Sequence, residues 1–378
     1  MKIRTNKILF WTLAAFSAFS FCGLLASAYS GYISPADCAT AGVLPLIFPV
    51  MLCLAVIMTI TDLFLCRRLA LLPISALLLC GGPIFRYCPV HPFKESYAET
   101  DLTFTLLTYN AFHFNSILPD GDPYPDGINP TMDYIINSQA DIVALQECVK
   151  LKPTESLHIT SAQIDSIYSR YPYIYIEEGR DNGILSKWPM EIKPVFKETP
   201  LANSVIAVDI FIGNDTLRLY SVHLESFQLS EEDKKIYHDI AKLEGSREEL
   251  KAAKSVLLSK IARANRLRAI QADSMYAILN RNTARDIIIC GDFNDVPESY
   301  TLRTISGSSG GLRQAYTEAG NGPMVTYNRR SFPFRIDHIL YRGAIKPIKV
   351  WHGDILSSDH YPLFATFVLP HNNSDIKQ

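Results

Sequence analysis

The chain has almost no net charge: 36 Lys and Arg stand against 38 Asp and Glu, a formal balance of −2 over 378 residues. Composition therefore supplies no broad basic face of the kind that carries nucleic-acid binding, although a local groove is not excluded. None of the eight cysteines stands in a CxxC pair, and no HxxxH occurs. The spacings of a zinc site are thus missing. There is also no internal repeat and no low-complexity tract, which sets aside solenoid architectures.

Charge is scarce in one further place, the first ninety residues. Three apolar runs lie there, about 8–29, 43–66 and 69–88, each near the roughly 20 residues that cross a bilayer. Lys2, Arg4 and Lys7 ahead of the first run, and the small residues of "ASAYS" near its end, also fit a cleaved signal peptide. The run is long for a signal core and two others follow, so the expectation is a retained anchor of three spans over 1–92. Basic residues set its direction: Lys2, Arg4 and Lys7 precede the first span, Arg67 and Arg68 lie between the second and third, and the loop 30–40 has none. By the positive-inside rule the amino terminus is cytoplasmic, and three spans put everything after about residue 90 outside the cytoplasm. The third run is short and broken by Pro73, Gly81, Gly82 and Pro83; a re-entrant hairpin there would reverse that placement. Cys38 and Cys88 fall at outward span ends, where they could pair, whereas Cys148 and Cys290 border strand-like segments and read as buried thiols.

Beyond a linker at 93–101, residues 102–370 are long enough for one large domain, followed by a tail at 371–378. "DLTFTLLTYNAF", "DIVALQEC", "NGILSKWP", "DIIICGDFND", "FRIDHILYR" and "SSDHYPLFATFVL" read as strands. "PTMDYIINSQA" has helical spacing. "SVIAVDIFI" and "DTLRLYSVHLES" form a hairpin across Gly213-Asn214-Asp215. A mixed-charge region over 230–281 reads as a solvated helical pair broken near Gly245. Many strands interleaved with few helices predict a layered α/β domain.

Polar residues recur at the strand ends: Asn110, Gln146-Glu147, His223 and Glu225, Asp292 and Asn294, Asp337-His338, and Asp359-His360. One such residue is ordinarily a cap or turn former; six ends carrying carboxylates, amides or imidazoles suggest a shared point, as ligand sites gather at one end of a sheet. In "GDFND", alternation turns Asp292 and Asn294 to one side and Phe293 to the other. Oxygen donors at Asn110, Glu147 and Asp359 suit a hard cation such as Mg2+. The histidines and remaining carboxylates can move protons. That inventory fits metal-assisted hydrolysis of a phosphate ester.

In this order, "TYNAF", "DIVALQE", "NGILSKWP", "VHLES", "GDFND", "RIDHILY" and "SSDHYPL" resemble the endonuclease/exonuclease/phosphatase superfamily over about 102–370. The resemblance implies a four-layer α/β sandwich, two packed mixed sheets flanked by helices, and a phosphohydrolase using Mg2+, with Mn2+ as a substitute. It implies that Glu147 is the main metal carboxylate, with Asn110 nearby and Asp359 at or beside the metal. Asp292 would orient or deprotonate the attacking water and Asn294 would hold a phosphoryl oxygen. His360 would contact the phosphate or serve as base, Asp337 would fix its tautomer, and His223 would act on the phosphoryl group or leaving oxygen. A supporting glutamate found in deoxyribonuclease-like members has only Glu177 or Glu178 as a counterpart, and Asn182 is a further candidate lining residue. The expected substrate is a phospholipid or sphingolipid head group, with DNA or RNA as the alternative and a non-catalytic binding module as a third reading. Nothing in the sequence calls for an obligate protein partner.

Overall fold

The computed structural model describes residues 7–92, 102–117, 122–177, 181–194, 200–201, 204–227, 247–329 and 333–370, with backbone only over 247–254. The expected linker at 93–101, the break near Gly245 and the tail at 371–378 lie outside these residues. The chain divides into two compact units: Met1–Cys88 with Phe227–Ala269 and Val296–Arg303, and Pro89–Ser226 with Ile270–Asp295 and Thr304–Gln378.

In the first unit, helices α1 (Lys7–Tyr29) and α2 (Phe48–Leu65) pack together, with Leu24, Ala28, Met51 and Ala55 buried. Gly23 lets the Met51 sulfur approach, since a Cβ there would lie 2.6 Å from it. The Ser17 hydroxyl donates to Asp62 at 2.6 Å, giving this buried carboxylate a partner. With their short flanking turns these are the two described helices long and apolar enough to cross a membrane. The third expected span is instead two short helices, α3 (Leu71–Leu79) and α4 (Gly81–Tyr87), meeting at Cys80. Pro83 explains the break: it has no N–H to donate, and its ring clashes with the carbonyl four residues back, at Leu79. Cys38 and Cys88 are both free thiols.

The second unit holds two six-stranded mixed sheets. β1 (Leu102–Asn110), β2 (Ile142–Gln146), β3 (Tyr173–Ile176), β4 (Asn182–Ser186), β11 (Lys346–His352) and β12 (Leu363–Leu369) form one, in the order β11-β12-β1-β2-β4-β3. The other runs β5-β6-β7-β8-β10-β9, from β5 (Met190–Ile192), β6 (Val205–Ile212), β7 (Asp215–His223), β8 (Asp286–Asp292), β9 (Arg313–Gln314) and β10 (Asp337–Arg342). β1–β2 and β7–β8 are parallel pairs. The hairpin expected at Gly213 forms between β6 and β7, with φ +62 at Gly213 supplying the turn.

Alternation along the strands puts Leu106, Ile142, Ala144, Val208, Leu219, Ile288, Cys290 and Phe367 into one core shared by the sheets. The opposite face of the first sheet buries Leu107, Val143 and Leu145 against Met132, Ile135, Ile164 and Ile167 of α5 (Pro130–Asn137) and α6 (Ser161–Arg170). Asn129 caps α5 by accepting from the Met132 amide, and Thr160 with Gln163 forms a capping box on α6. From residue 247 the polar helical region is one helix, α7 (Arg247–Asn280), whose last turns bury Ala272, Met275 and Leu279. The fold is α/β, with two mixed sheets flanked by helices.

Candidate active site

Register brings the polar strand ends together. In the second sheet His223 of β7 pairs with Asp292 of β8, and Asp292 pairs with Asp337 of β10. In the first, Asn110 of β1 pairs with Gln146 of β2, and Gln146 with Asn182 of β4. Below them Gln146 Nε2 donates to Ser221 Oγ at 3.0 Å and to Thr108 Oγ1 at 3.2 Å, tying the two sheets through a satisfied buried amide.

Asn110 is the hinge of the cluster. Its Nδ2 donates to Glu147 Oε1 and to Asp292 Oδ2, both at 3.1 Å, while its Oδ1 accepts from the Phe112 amide. Among the residues expected at a cation, Asn110 thus presents its N–H, not its oxygen, to the carboxylates. Glu147 lies just past β2 with φ +47, a left-handed conformation for a residue with a side chain. Its carbonyl accepts from the His113 amide at 2.7 Å. The Glu147 side chain stays about a quarter exposed, with His223 Nε2 3.7 Å from Oε1 and His113 Nε2 3.5 Å from Oε2. Asp359 is near-buried, and its carboxylate lies 3.9 Å from Arg329 Nε.

Asp292 is buried, 3.6 Å from His360 Nε2 and 3.8 Å from His223 Nε2. Burial holds its carboxyl above the usual range, His360 and His223 opposing that effect and Asp337 adding to it. His360 Nδ1 lies 2.8 Å from Asp337 Oδ2. Burial alone would push this imidazole down, but Asp337, Asp292 and Asp359 outweigh it and push it up to about 10. His360 is therefore an imidazolium around neutral pH, donating from Nδ1 to Asp337 and turning Nε2–H toward Asp292. Asp292, Asp337 and His360 are close enough to share a cation; the proton on His360 satisfies the same geometry.

The Asp292-Phe293-Asn294 triplet of "GDFND" leaves its strand sooner than alternation predicts. β8 ends at Asp292, Phe293 is fully buried, and Asn294 takes φ +51. Asn294 folds back, its N–H donating to Asp292 Oδ1 at 2.8 Å and its Nδ2 to the Leu224 carbonyl at 3.0 Å. Gly291 precedes it at φ +139, where a Cβ would fall 2.0 Å from the Val222 carbonyl oxygen, so no other residue fits this approach. His338 faces away from the cluster, and its Nε2 lies 2.9 Å from the Asp295 carbonyl. Burial with Arg335 nearby pushes it down to about 3, so it is neutral and carries its proton on Nε2. Cys148 and Cys290 are buried thiols, each pushed up to about 12 by burial. The Glu177 amide donates to the Asn182 carbonyl, and Glu178 lies outside the described residues. Asn182 is buried, with its Oδ1 unpartnered among the described residues.

Sequence reading missed three residues. His113 reaches Glu147 because Phe112, His113 and Phe114 all take positive φ, from 48° to 59°. Ser358 Oγ donates to the Asn110 carbonyl at 2.8 Å and accepts from the His360 amide, fastening one motif to another. Tyr327 sets its ring edge-on against His360 at 5.1 Å. The only signal for His113 was its place three residues after Asn110.

Residues 107–360 match the description "Endonuclease/Exonuclease/phosphatase family", and residues 6–87 match a domain of unknown function, DUF8431. No curated relative matches the chain. Similar solved structures include a D. rerio TDP2 humanized by 14 mutations, at 16% identity and TM-score 0.43, covering 70% of this chain and 98% of that one. An endonuclease/exonuclease/phosphatase family protein of Bacteroides thetaiotaomicron gives 16%, 0.43, 72% and 100%. Beta toxin of Staphylococcus aureus gives 15%, 0.41, 69% and 99%.

Proposed function

Because the chain belongs to the endonuclease/exonuclease/phosphatase family, we propose that it hydrolyses a phosphate ester with a divalent cation, Mg2+ or in its place Mn2+, while held at a membrane by its amino-terminal helices. A phospholipid or sphingolipid head group is the substrate class. The observation that carries this reading is the meeting of Asn110, Glu147, His223, Asp292, Asp337 and His360 at adjacent strand ends.

The donor set fits the cation. Glu147 offers anionic oxygens beside Asp292, and its partial exposure leaves room for the waters that Mg2+ retains. Asn110 would hold Glu147 in place, and Asp359 remains a candidate further ligand. When bound, the cation would neutralise phosphoryl oxygens and acidify water.

The protein's own groups divide the remaining work. Asp292, its carboxyl raised by burial, is suited to take a proton from the attacking water. His360 is already protonated, which favours contact with the phosphoryl oxygens over service as the base. Asp337 holds Nδ1–H so that Nε2–H remains the donor. His223 would donate a hydrogen bond to the phosphoryl group or leaving oxygen, and the amide of Asn294 would bind a phosphoryl oxygen.

Near-neutral charge argues against nucleic acid as substrate. A membrane tether favours a lipid head group. We place the domain outside the cytoplasm. Arg303 Nη2 donates to the Ala28 carbonyl at 2.8 Å, at the end of α1 opposite Lys7, and among the described residues beyond it no helix is long and apolar enough to cross a membrane.

The test is turnover by the full-length protein in mixed micelles, with Mg2+ or EDTA, of bis-p-nitrophenyl phosphate, sphingomyelin, phosphoinositides and plasmid DNA, beside Asp292→Ala and His360→Ala. The expected result is Mg2+-dependent lipid hydrolysis lost in both variants. DNA as the better substrate would replace the lipid reading, and a folded protein that binds Mg2+ without turning over any substrate would replace catalysis with binding.

A further inference from the structure

Residues 296–303 follow Asp295 directly in sequence but belong to the amino-terminal helical unit. Inside that unit they are held by an ionic cluster. Glu298 is fully buried, and Arg86 grips it with both arms, Nε to Oε1 at 2.8 Å and Nη2 to Oε2 at 2.9 Å. Arg303 reaches the same carboxylate, donates to the Ala28 carbonyl at 2.8 Å, and lays its guanidinium over the Tyr32 ring at 4.2 Å. Gly31 makes this approach feasible, because a Cβ there would lie 2.1 Å from the Glu298 carbonyl oxygen. The Ser299 hydroxyl accepts from the Leu302 amide, starting α8 (Tyr300–Ser306).

A buried carboxylate is costly unless paired and hydrogen-bonded, and removing one partner of such a group strands the others. The segment is therefore seated in one geometry, not loosely leaned against the helices. Upstream, Asn294 holds a left-handed backbone at φ +51, kept in place by its N–H on Asp292 Oδ1 and its Nδ2 on the Leu224 carbonyl. One residue, Asp295, separates Asn294 from this segment, and its carbonyl is held by His338 Nε2 at 2.9 Å.

We propose that the helical unit, which matches a domain of unknown function, braces the catalytic loop as well as tethering the protein. Arg86, Glu298 and Arg303 anchor the downstream end of the loop that carries Asp292 and Asn294, as positioning residues. This inference rests on the phosphohydrolase reading for its effect on turnover, and on chain continuity for its effect on the loop.

Full-length protein in nanodiscs, wild type and Arg86→Ala, tests it by two measurements. Hydrogen–deuterium exchange should show faster uptake over 291–303, with β1 and β2 unchanged. Turnover of bis-p-nitrophenyl phosphate, too small to report lipid access, should show kcat lowered about tenfold or more at nearly constant KM, since an error of about 1 Å in a reacting group costs up to about 10²-fold. Arg86→Lys should recover part of both. Gly31→Ala, which presses on the same segment without touching a charge, should reproduce the effect and carries the test if Arg86→Ala fails to fold. Uptake over 291–303 unchanged in both variants overturns the brace, and faster uptake with wild-type kcat overturns the positioning role. A wild type that turns over no phosphate ester refutes the phosphohydrolase reading instead, and exchange alone then decides the brace.

Discussion

Asp337→Asn removes one charge from the His360 dyad and keeps its shape. The dyad lifts the imidazole from its ordinary 6.5 to about 10, a difference of about 5 kcal/mol at 1.36 kcal/mol per pH unit. Asp337 is the leading favourable contributor, by charge and by its hydrogen bond, with Asp292 and Asp359 adding to it. If Asp337 supplies roughly half or more of that lift, the variant's imidazole titrates near pH 7 to 8. The assay is kcat/KM against pH from about 5.5 to 9.5 at saturating Mg2+. Wild type should keep its activity on the alkaline side to the end of this range, while the variant declines from near pH 7 to 8. At its optimum the variant should be slower by about 10²- to 10⁴-fold, the scale seen when a buried carboxylate partner of a catalytic histidine is neutralised. Stability follows the same sign. His360 has its folded value raised, so its contribution is fully present below pH 6.5 and is lost as the pH rises through about 10. Unfolding measured between pH 6 and 10 should show that dependence in wild type and a weaker one in Asp337→Asn. An alkaline limb at the same pH in both proteins, or a variant within about threefold of wild type, would refute the dyad.

Other substitutions probe the remaining parts. Glu147→Gln should abolish Mg2+-stimulated turnover and weaken the cation's thermal stabilisation of the protein; an unchanged Mg2+ titration would remove Glu147 from the cation site. His113→Ala should lower kcat/KM by about fivefold or less, because its 3.5 Å approach to Glu147 is half exposed and such pairs are worth about 0–1 kcal/mol, and wild-type kinetics would make His113 a bystander. Gly291→Ala should destabilise the fold by about 2 kcal/mol or more, through strain at φ +139 and collision with the Val222 carbonyl, and an unshifted melting curve would contradict this. Cys148 and Cys290, both raised to about 12, should resist a thiol reagent at pH 8 until denaturant is added; labelling in the native protein would show that they are accessible.

Much of this molecule is legible locally. Short runs such as Ile142–Leu145 and Ile287–Cys290, rich in β-branched residues and bounded by Asp, Gly and Gln, specify strands, because length, propensity and flanking turn residues are properties of near neighbours. The run from Ile8 to Tyr29 is apolar enough to be helical in a bilayer wherever it lies. Pro83 shows the limit of counting apolar residues: the composition of the third run suits a span, but its backbone cannot continue the hydrogen-bonded ladder. Likewise the two sides of "GDFND" follow from alternation only while the strand lasts, and Asn294 has already left it.

What the sequence determined by itself is therefore the two long apolar helices, most of the strands that carry motifs, and the chemical types at the strand ends: carboxylate, amide and imidazole at Asn110, Glu147, His223, Asp292, Asp337 and His360. Tertiary structure alone decided that β7, β8 and β10 lie in a register that lines up three of them, and that Asn110 faces Glu147 and Asp292 with its N–H. It also decided that His360 is charged, that His113 belongs to the site, and that Arg86 finds Glu298 across 212 positions of sequence. The physical reason is that periodicity and propensity act over a few residues, whereas burial, Coulomb interaction and hydrogen-bond partnership depend on which distant segments the folded chain brings within a few ångströms.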